Sequence, residues 1–171
     1  MRILMLLLTS LALTGCLGMP ETVVPVKNFD LNRYLGKWYE IARLDHSFER
    51  GLERITADYS LREDGGVAVV NRGYSPADDK WKMVKGKAYY VNSENEGYFK
   101  VSFFGPFYGS YVIFELDEVG YEYAFISGPN TSYLWLLSRK PDLPQEIIEK
   151  FIERSKKLGF EVGNLIFVKH D

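Results

Sequence analysis

The sequence predicts an exported all-β domain with one helix near its carboxyl end. Eight short segments rich in β-branched and aromatic residues follow one another at even spacing, and turn residues separate them. A single later stretch has helical instead of alternating periodicity. Aromatic residues make up 15% of the chain, and strands accommodate such side chains best.

The amino-terminal residues have the pattern of an export signal. Arg2 is followed by an apolar run over residues 3–13, which is too short to span a bilayer, where about 20 apolar residues are needed. A positive start, a short apolar run and small residues predict a cleaved signal peptide over residues 1–15. The end of this stretch, Leu13-Thr14-Gly15-Cys16, resembles the lipobox of bacterial lipoproteins.

That resemblance implies that Cys16 starts the mature protein and carries fatty acyl groups, palmitate among them. Each buried methylene contributes about 0.8 kcal/mol, so two or three acyl chains anchor a protein to a membrane. Leu17 follows the cysteine, whereas aspartate at this position resembles a signal for inner-membrane retention. We therefore expect a lipid anchor in the outer membrane, with the periplasmic face favoured. The alternative is an ordinary signal peptide that contains a cysteine.

The mature chain is predicted to consist of a tether and one domain. Residues 16–27 include Pro20 and Pro25 without periodicity and are predicted to be a lipidated tether, and residues 28–171 the domain. With a single cysteine, the domain must fold without a disulfide. A net charge of −2 and the absence of any Lys/Arg block argue against a nucleic-acid partner. The oligomeric state is left open, a homodimer included.

Turn residues separate the predicted strands. Asp64-Gly65-Gly66 is typical of a hairpin turn, and Gly105-Pro106 breaks the chain again. The eight predicted strands are residues 38–43, 55–61, 67–73, 81–91, 98–104, 111–116, 121–127 and 133–138.

One helix and a short last strand complete the predicted domain. Pro144 lies in the first turn of the helix, and Gly159 follows as its C-cap. An apolar stripe at helical spacing predicts that the helix packs on the outside of the sheet. Residues 165–168 form the last strand. Eight strands and one packed helix fit a closed barrel better than a sandwich, although periodicity alone does not decide between them.

Residues 28–40 resemble the first signature of the lipocalin family. In it a short 3-10 turn plugs one end of an eight-stranded, antiparallel, up-and-down barrel, and a Gly-x-Trp opens the first strand. Here these residues are Gly36 and Trp38, and Arg139 matches the arginine of the third signature, at the end of the last barrel strand. Because a guanidinium can stack on an indole, Gly36, Trp38 and Arg139 are the predicted barrel plug.

The second lipocalin signature, a Thr-Asp-Tyr turn, is met only in part. Asp117 is kept, the threonine is replaced, and the nearest tyrosine is displaced to Tyr121. This departure concerns the geometry of the turn and not the fold. Residues 38–46 and 101–109 resemble the branch that includes bacterial outer-membrane lipocalins and apolipoprotein D.

Side-chain alternation, aligned to the family pattern with Trp38 inward, predicts a ligand cavity inside the barrel. A slip of one residue reverses the assignments on a strand. The predicted lining is mostly apolar, which suits a small amphipathic lipid such as a fatty acid or lysophospholipid; the alternative is an interior packed solid. The lining residues are Glu40, Ala42, Ala57, Tyr59, Val69, Asn71, Val84, Ala88, Val101, Phe103, Val112, Phe114, Ala124, Ile126, Tyr133, Trp135 and Leu137.

Four loops are expected to ring the mouth of the barrel. Phe48, Phe107 and Tyr108 lie in these loops, where exposed aromatic residues contact a membrane or a partner, or fold over the mouth as a lid. Both interpretations stay open. The loops are residues 45–52, 74–80, 105–109 and 128–132.

No residue pattern typical of catalysis or metal binding is present in the sequence. His46 and His170 are far apart, and Cys16 has no free thiol once acylated. We therefore expect a protein without enzymatic activity, cofactor or metal. The predicted function is storage or transport of lipids at the outer membrane. The alternative is an anchored envelope protein whose rim aromatics bind a partner while the barrel has no ligand.

Overall fold

The structure, a computed structural model, describes residues 17–170. The predicted signal peptide over residues 1–15 and the predicted lipid attachment at Cys16 lie outside these residues. The helices are α1 (Leu31–Tyr34) and α2 (Gln145–Lys157), and a 3-10 turn follows at Val162–Asn164. The strands are β1 (Gly36–Arg43), β2 (Glu53–Leu61), β3 (Val67–Ser75), β4 (Lys80–Tyr90), β5 (Tyr98–Phe104), β6 (Phe107–Leu116), β7 (Tyr123–Ser127), β8 (Leu134–Ser138) and β9 (Ile166–Phe167).

Strands β1 to β8 form a closed antiparallel barrel. Each strand pairs with the next along the chain, and β1 pairs with both β2 and β8, which closes the sheet. Closure pairs the backbone groups that an open sheet would expose at its edges. The predicted barrel is therefore confirmed over the alternative of a sandwich.

Two clusters of buried apolar side chains lie on opposite faces of the barrel wall. The inner cluster consists of Phe29, Tyr34, Trp38, Val67, Val69, Ala88, Phe99, Ile113, Leu116, Tyr121, Ala124, Ile126 and Leu137. The outer cluster consists of Val23, Ile41, Ala42, Leu44, Tyr98, Val112, Phe114, Phe125, Leu134, Leu136, Phe151 and Phe160.

Helix α2 covers the outer cluster, as its apolar stripe predicted. Phe151 is fully buried, and its ring meets the ring of Phe125 edge-on at 5.0 Å. Glu146 in the first turn and basic residues in the last turn complement the helix dipole. Gly159 follows the helix with φ +90°, a conformation that favours glycine.

Helix α1 lies at one end of the barrel, which we call the closed end, together with the loops of residues 62–66, 91–97 and 117–122. The predicted 3-10 plug is instead one turn of α-helix, because Tyr34 and Leu35 donate to the carbonyls four residues back. The opposite end, which we call the open end, carries the loops of residues 44–52, 76–79, 105–106 and 128–133.

The predicted tether packs against the barrel in the part that the structure describes. The backbone N–H of Gly18 donates to Ser110 Oγ on β6, and Val26 exchanges backbone hydrogen bonds with Ile113 and Gly97. Val23 is buried in the outer cluster. Residues 18–27 are thus part of the folded body, because the prolines suppress helix without preventing extended backbone from pairing.

Candidate ligand site in the barrel

The closed end is held by a stacked pair, Trp38 and Arg139. The guanidinium carbon of Arg139 lies 4.0 Å from the centre of the Trp38 ring, and the Trp38 ring is fully buried. Arg139 also donates to the backbone carbonyls of Arg33, Lys37 and Tyr121 at 2.7, 2.9 and 3.3 Å. The pair connects α1, β1, β8 and the turn before β7. The closed end is therefore held by hydrogen bonds in which each Arg139 donor nitrogen has an acceptor.

Asp117 organises the turn in which the second signature is incomplete. Its carboxylate accepts from the backbone N–H groups of Val119, Gly120 and Glu122. Tyr121 is buried in the inner cluster, and its hydroxyl oxygen accepts from the backbone N–H of Asp30. The displaced tyrosine therefore still joins the turn to the plug.

Three tyrosines lie above the plug. The Tyr111 hydroxyl is 2.7 Å from the Tyr34 hydroxyl and 3.0 Å from the Tyr59 hydroxyl. Burial raises the pKa of all three hydroxyls, because it disfavours the phenolate. A cavity of about 20 Å³, room for about one water molecule, lies beside them. It is lined by Leu31, Tyr34, Tyr59, Val67, Ala88, Phe99, Val101 and Tyr111.

A polar layer lies towards the open end and is centred on Arg43. The Arg43 side chain is 2% exposed, and its Nη2 donates to the Glu49 carbonyl oxygen at 2.8 Å. Its Nη1 is 3.6 Å from Glu40 Oε1, and its Nε is 3.7 Å from Glu49 Oε2. Both distances are beyond hydrogen-bond length. Arg43 Nε, Arg43 Nη1 and Glu40 Oε1 therefore have no hydrogen-bond partner among the described residues.

The loop of residues 44–52, which we call the lid loop, folds over this polar layer. Trp135 Nε1 donates to the Glu49 carboxylate at 3.1 Å. The buried His46 ring stacks between Phe48 at 5.2 Å and Tyr133 at 4.9 Å. These contacts hold the lid loop against β8. They are made by Trp135 and Tyr133, whose side chains also face the barrel interior.

Burial shifts the protonation of this layer. Burial and then the nearby Glu49 carboxyl group raise the pKa of Glu40 well above its usual range, although Arg43 opposes the shift. Burial also raises the pKa of Glu49, while the Trp135 hydrogen bond and Arg43 act against it. Burial, with a smaller contribution from Arg43, lowers the pKa of His46 to about 4. The layer therefore favours the uncharged forms of these side chains.

A model of the lipocalin-like domain matches residues 29–170. The chain belongs to the lipocalin family. It is 63% identical over 169 residues to outer membrane lipoprotein Blc of Vibrio cholerae, with 99% of each chain covered. Blc of Escherichia coli K12 is 49% identical over 150 residues, which cover 88% of this chain and 84% of that protein. Apolipoprotein D of Mus musculus is 36% identical over 129 residues, covering 71% and 67%.

The fold of this lipocalin is also found among solved structures. Insecticyanin from Manduca sexta superimposes with a TM-score of 0.70 at 20% identity, covering 87% of this chain and 85% of insecticyanin. At an identity this low, the similarity to insecticyanin supports the fold of the chain and nothing further. The lipocalins and the Blc relatives are binding proteins and not enzymes, and the same holds for this chain. Identity to Blc over the whole chain places the protein at the outer membrane, as predicted.

The structure brings most of the predicted cavity residues to the barrel interior. Ala57, Asn71 and Val84 lie opposite one another across β2, β3 and β4, on the face that Trp38 shares. Glu40 lies opposite Leu137, and Tyr133 stacks on His46 at the open end. The predicted cavity residues that belong to the inner cluster or pack against it are Tyr59, Val69, Ala88, Val101, Phe103, Ala124, Ile126, Trp135 and Leu137.

Three of the predicted inward residues face the other way. Ala42, Val112 and Phe114 belong to the outer cluster, so the prediction that they face the cavity was wrong. A bulge between Glu40 and Ala42 shifts the end of β1 by one residue. On β6 the outer residues Val112 and Phe114 are as apolar and buried as the inner Ile113, so alternation misjudged the register. A second irregularity between Ile113 and Glu115 shifts the register again.

Several interior residues escaped the alternation pattern. Because of the bulge in β1, Arg43 instead of Ala42 faces inward with Trp135. Tyr111 and Ile113 take the places expected for Val112 and Phe114. His46 and Glu49 come from a loop, where periodicity carries no information. The one signal available was the arginine that follows the apolar pair Ile41 and Ala42 at the end of β1.

The predicted rim residues occupy two separate places. Phe48 lies on the lid loop and is 60% exposed although it stacks on His46. Phe107 opens β6 and is 62% exposed, and the neighbouring Tyr108 ring lies 5.3 Å from the Lys100 ammonium. Within residues 17–170, no group of three or more His, Cys, Asp or Glu could hold a metal ion, and no helix is long and apolar enough to cross a membrane.

Proposed function

We propose that this lipocalin binds a fatty acid, a lysophospholipid or a similar amphiphile in its barrel and stores or transports it in the outer membrane. The observation that supports this proposal is the division of the barrel interior. The part towards the closed end is apolar, and the part towards the open end holds the Arg43 layer. An acyl chain suits the first part, and a polar head group suits the second.

Arg43 is the side chain best placed to meet a head group. Two of its donor nitrogens have no hydrogen-bond acceptor among the described residues, and the carboxyl groups of Glu40 and Glu49 lie 3.6 and 3.7 Å away. A carboxylate or phosphate oxygen of a ligand would provide a short, charge-assisted hydrogen bond. Because the pKa of Glu40 is raised, the layer does not present two full negative charges to such a head group.

Ligand entry requires side chains to move. A cavity of about 20 Å³ has no room for an acyl chain. Tyr59, Phe103 and Trp135 are only partly buried although they face inward, so the interior is reached from the solvent beside them. Rotation of Phe103 and Trp135, with displacement of the lid loop, would open the barrel above the three tyrosines.

The energetics allow useful affinity. Burial of about 12 methylenes contributes roughly 10 kcal/mol at about 0.8 kcal/mol each. Association costs of about 4–15 kcal/mol offset much of this, so the head group must contribute as well. Affinity in the submicromolar to micromolar range is expected, and it should rise with acyl length until the barrel is filled.

The anchor belongs to the same proposal. The lipobox ending at Cys16 supports acylation of this residue, which would hold the protein in the outer membrane by two or three acyl chains. Replacement by serine, Cys16→Ser, should release the domain from the membrane fraction or leave an uncleaved precursor. Unchanged fractionation without any incorporated lipid label would contradict the anchor.

The cavity proposal is tested on the protein extracted from membranes in mild detergent. Mass spectrometry of its organic-soluble contents should find a fatty acid or lysophospholipid at a stoichiometry well above that in a matched extract of an unrelated lipoprotein. Titration with fatty acids and lysophospholipids of graded length should then give a saturable fluorescence response. No copurified lipid and no saturable response at any chain length would contradict the proposal.

A second candidate function is favoured by the small cavity and the exposed rim. Phe48 and Phe107 could bind an envelope protein while the barrel stays without a ligand. In that case substitutions at the rim would abolish capture of one defined partner, and lipid titration would give no saturable response. The titration therefore separates the two candidates.

A further inference from the structure

The exposed aromatic side chains of the described chain lie towards the open end of the barrel. Phe104 and Phe107 pair across the tip of the β5–β6 hairpin and are 75% and 62% exposed. Trp81, at the start of β4, is 59% exposed. At the closed end the exposed large apolar residues are the aliphatic Leu61 and Val119. Exposed Trp and Phe side chains are typical of surfaces that insert into the membrane interface.

Charges are arranged in the same sense. Residues 104–109, at the hairpin tip, contain no charged side chain. Lys85 and Lys87 follow on the neighbouring strand β4, and no salt bridge of either is found among the described residues. The open-end loops carry the exposed acids Asp45, Asp78 and Asp79, of which Asp45 and Asp78 are paired with Arg50 and Lys82. The closed-end loops carry seven acidic side chains, which an anionic membrane would repel more strongly. These are Glu63, Asp64, Glu94, Glu96, Asp117, Glu118 and Glu122.

The amino-terminal segment, residues 17–26, leads towards the open end of the barrel. It runs along β6 from the closed end, where Val26 bonds to Ile113, towards the open end, where Gly18 bonds to Ser110. Ser110 is three residues from Phe107, or about 10 Å along a strand. Leu17 is 47% exposed and is bonded directly to Cys16. With Gly18 already docked, almost no free chain separates the attachment residue from the barrel wall.

We infer that the open end of the barrel faces the leaflet that holds the acyl chains of Cys16, with Phe104 and Phe107 inserted among the lipid head groups. Lys85 and Lys87 then lie next to anionic phosphates, and the acidic closed end points away from the membrane. The inference rests on the proposed anchor at Cys16 and not on a cavity ligand. In this orientation the mouth of the barrel opens directly onto the lipid from which an amphiphile would come.

The orientation is tested with the full, acylated protein reconstituted into vesicles of phosphatidylethanolamine and phosphatidylglycerol. Two single substitutions, Phe107→Cys and Val119→Cys, introduce thiols at exposed sites of opposite ends, and each thiol carries the same environment-sensitive fluorophore. Val119 is 90% exposed at the closed end and is the matched control. Cys16 is acylated and does not react. Phe104→Cys repeats the measurement at the tip, and unfolding midpoints verify that each variant folds.

Spin-labelled lipids should quench the fluorophore at residue 107 or 104 several-fold more strongly than the fluorophore at residue 119. Removal of phosphatidylglycerol should reduce the difference. Equal quenching at both ends, or stronger quenching at residue 119, would overturn the orientation. A tip fluorophore that is already shielded in the unacylated Cys16→Ser protein, in buffer without lipid or detergent, would also overturn it, because a second copy or another protein would then cover the tip. Protein that does not float with the vesicles would overturn the anchor and the orientation with it.

Discussion

The two ends of the barrel are each organised around an arginine, but they differ in how completely its donors are used. At the closed end, Arg139 stacks on Trp38 and donates to three backbone carbonyls. At the open end, Arg43 is more deeply buried, donates to one carbonyl, and has two nitrogens without a hydrogen-bond acceptor within residues 17–170. A satisfied network stabilises a fold, whereas a buried group left unsatisfied is a place where a ligand can bind.

Substitutions at the closed end should lower the free energy of unfolding more than any others. Trp38→Ala should destabilise the protein by about 3–5 kcal/mol, in the range for loss of a buried aromatic side chain. Arg139→Met should also cost several kcal/mol, and the double variant should cost less than the sum, because both changes remove one shared contact. Urea unfolding measures all three.

An exposed arginine at the same end provides the control for this cycle. Arg62 forms a solvent-exposed ion pair with Asp64, so Arg62→Met should leave the free energy of unfolding nearly unchanged. Strict additivity of Trp38→Ala and Arg139→Met would show that the stacked pair does not act as a unit.

The matching change at the open end should affect binding more than stability. Arg43→Gln should weaken binding of fatty acids at least about tenfold, or roughly 1.4 kcal/mol, and leave an uncharged monoacylglycerol little changed. Arg72→Gln removes an exposed arginine paired with Asp58 on the outer face and should change neither affinity. Equal loss for both ligands would mean that Arg43 supports the barrel wall and not the head group. Calorimetric titration measures each affinity.

The raised pKa of Glu40 predicts a dependence of stability on pH. Because the folded state binds this proton more tightly than the unfolded state, the contribution to stability is full below about pH 4.3 and is lost as the pH rises through the folded pKa. Glu40→Gln should remove this loss. Unfolding free energies measured at intervals from acid to neutral pH test it, and an unchanged slope in the variant would contradict the assignment.

His46 should act in the opposite direction within the lid loop. Its pKa is lowered to about 4, so its contribution is present above about pH 6.5 and is lost as the pH falls towards about 4. His46→Gln should flatten stability over this window, and the effect should be the smallest of the four. A steeper acid loss in the variant than in the parent protein would contradict the role of the buried ring.

How far the sequence predicts this molecule depends on whether a strand has a polar face. On β2, β3 and β4 the outer face is partly polar, and the predicted inward residues Tyr59, Val69 and Ala88 lie in or against the inner cluster. On β6 the outward-facing Val112 and Phe114 are as apolar and buried as the inward-facing Ile113, so both were assigned to the wrong side. The family signatures placed residues independently of alternation only at Trp38 and Arg139.

Alternation predicted Glu40 of the polar layer but missed Arg43 and Glu49, for two physical reasons. A single-residue bulge in β1 turns Arg43 inward, and no local sequence pattern marks such a bulge. Glu49 reaches the layer from a loop through tertiary contacts with Trp135 and Arg43. The predicted tether was misjudged for a related reason, because pairing of Val26 with Ile113 and Gly97 depends on the finished barrel.

The central claim, that a lipid lies in the barrel with its tail towards Trp38 and its head group at Arg43, is tested most directly with fatty acids brominated at different positions. The exposed Trp81 is removed as background by Trp81→Phe, and Trp135→Phe then leaves Trp38 as the reporter of the closed end. Bromine near the tail should quench Trp38, and bromine near the carboxylate should quench Trp135 when that residue is kept. The reverse order, or binding without quenching of either indole, would contradict the claim.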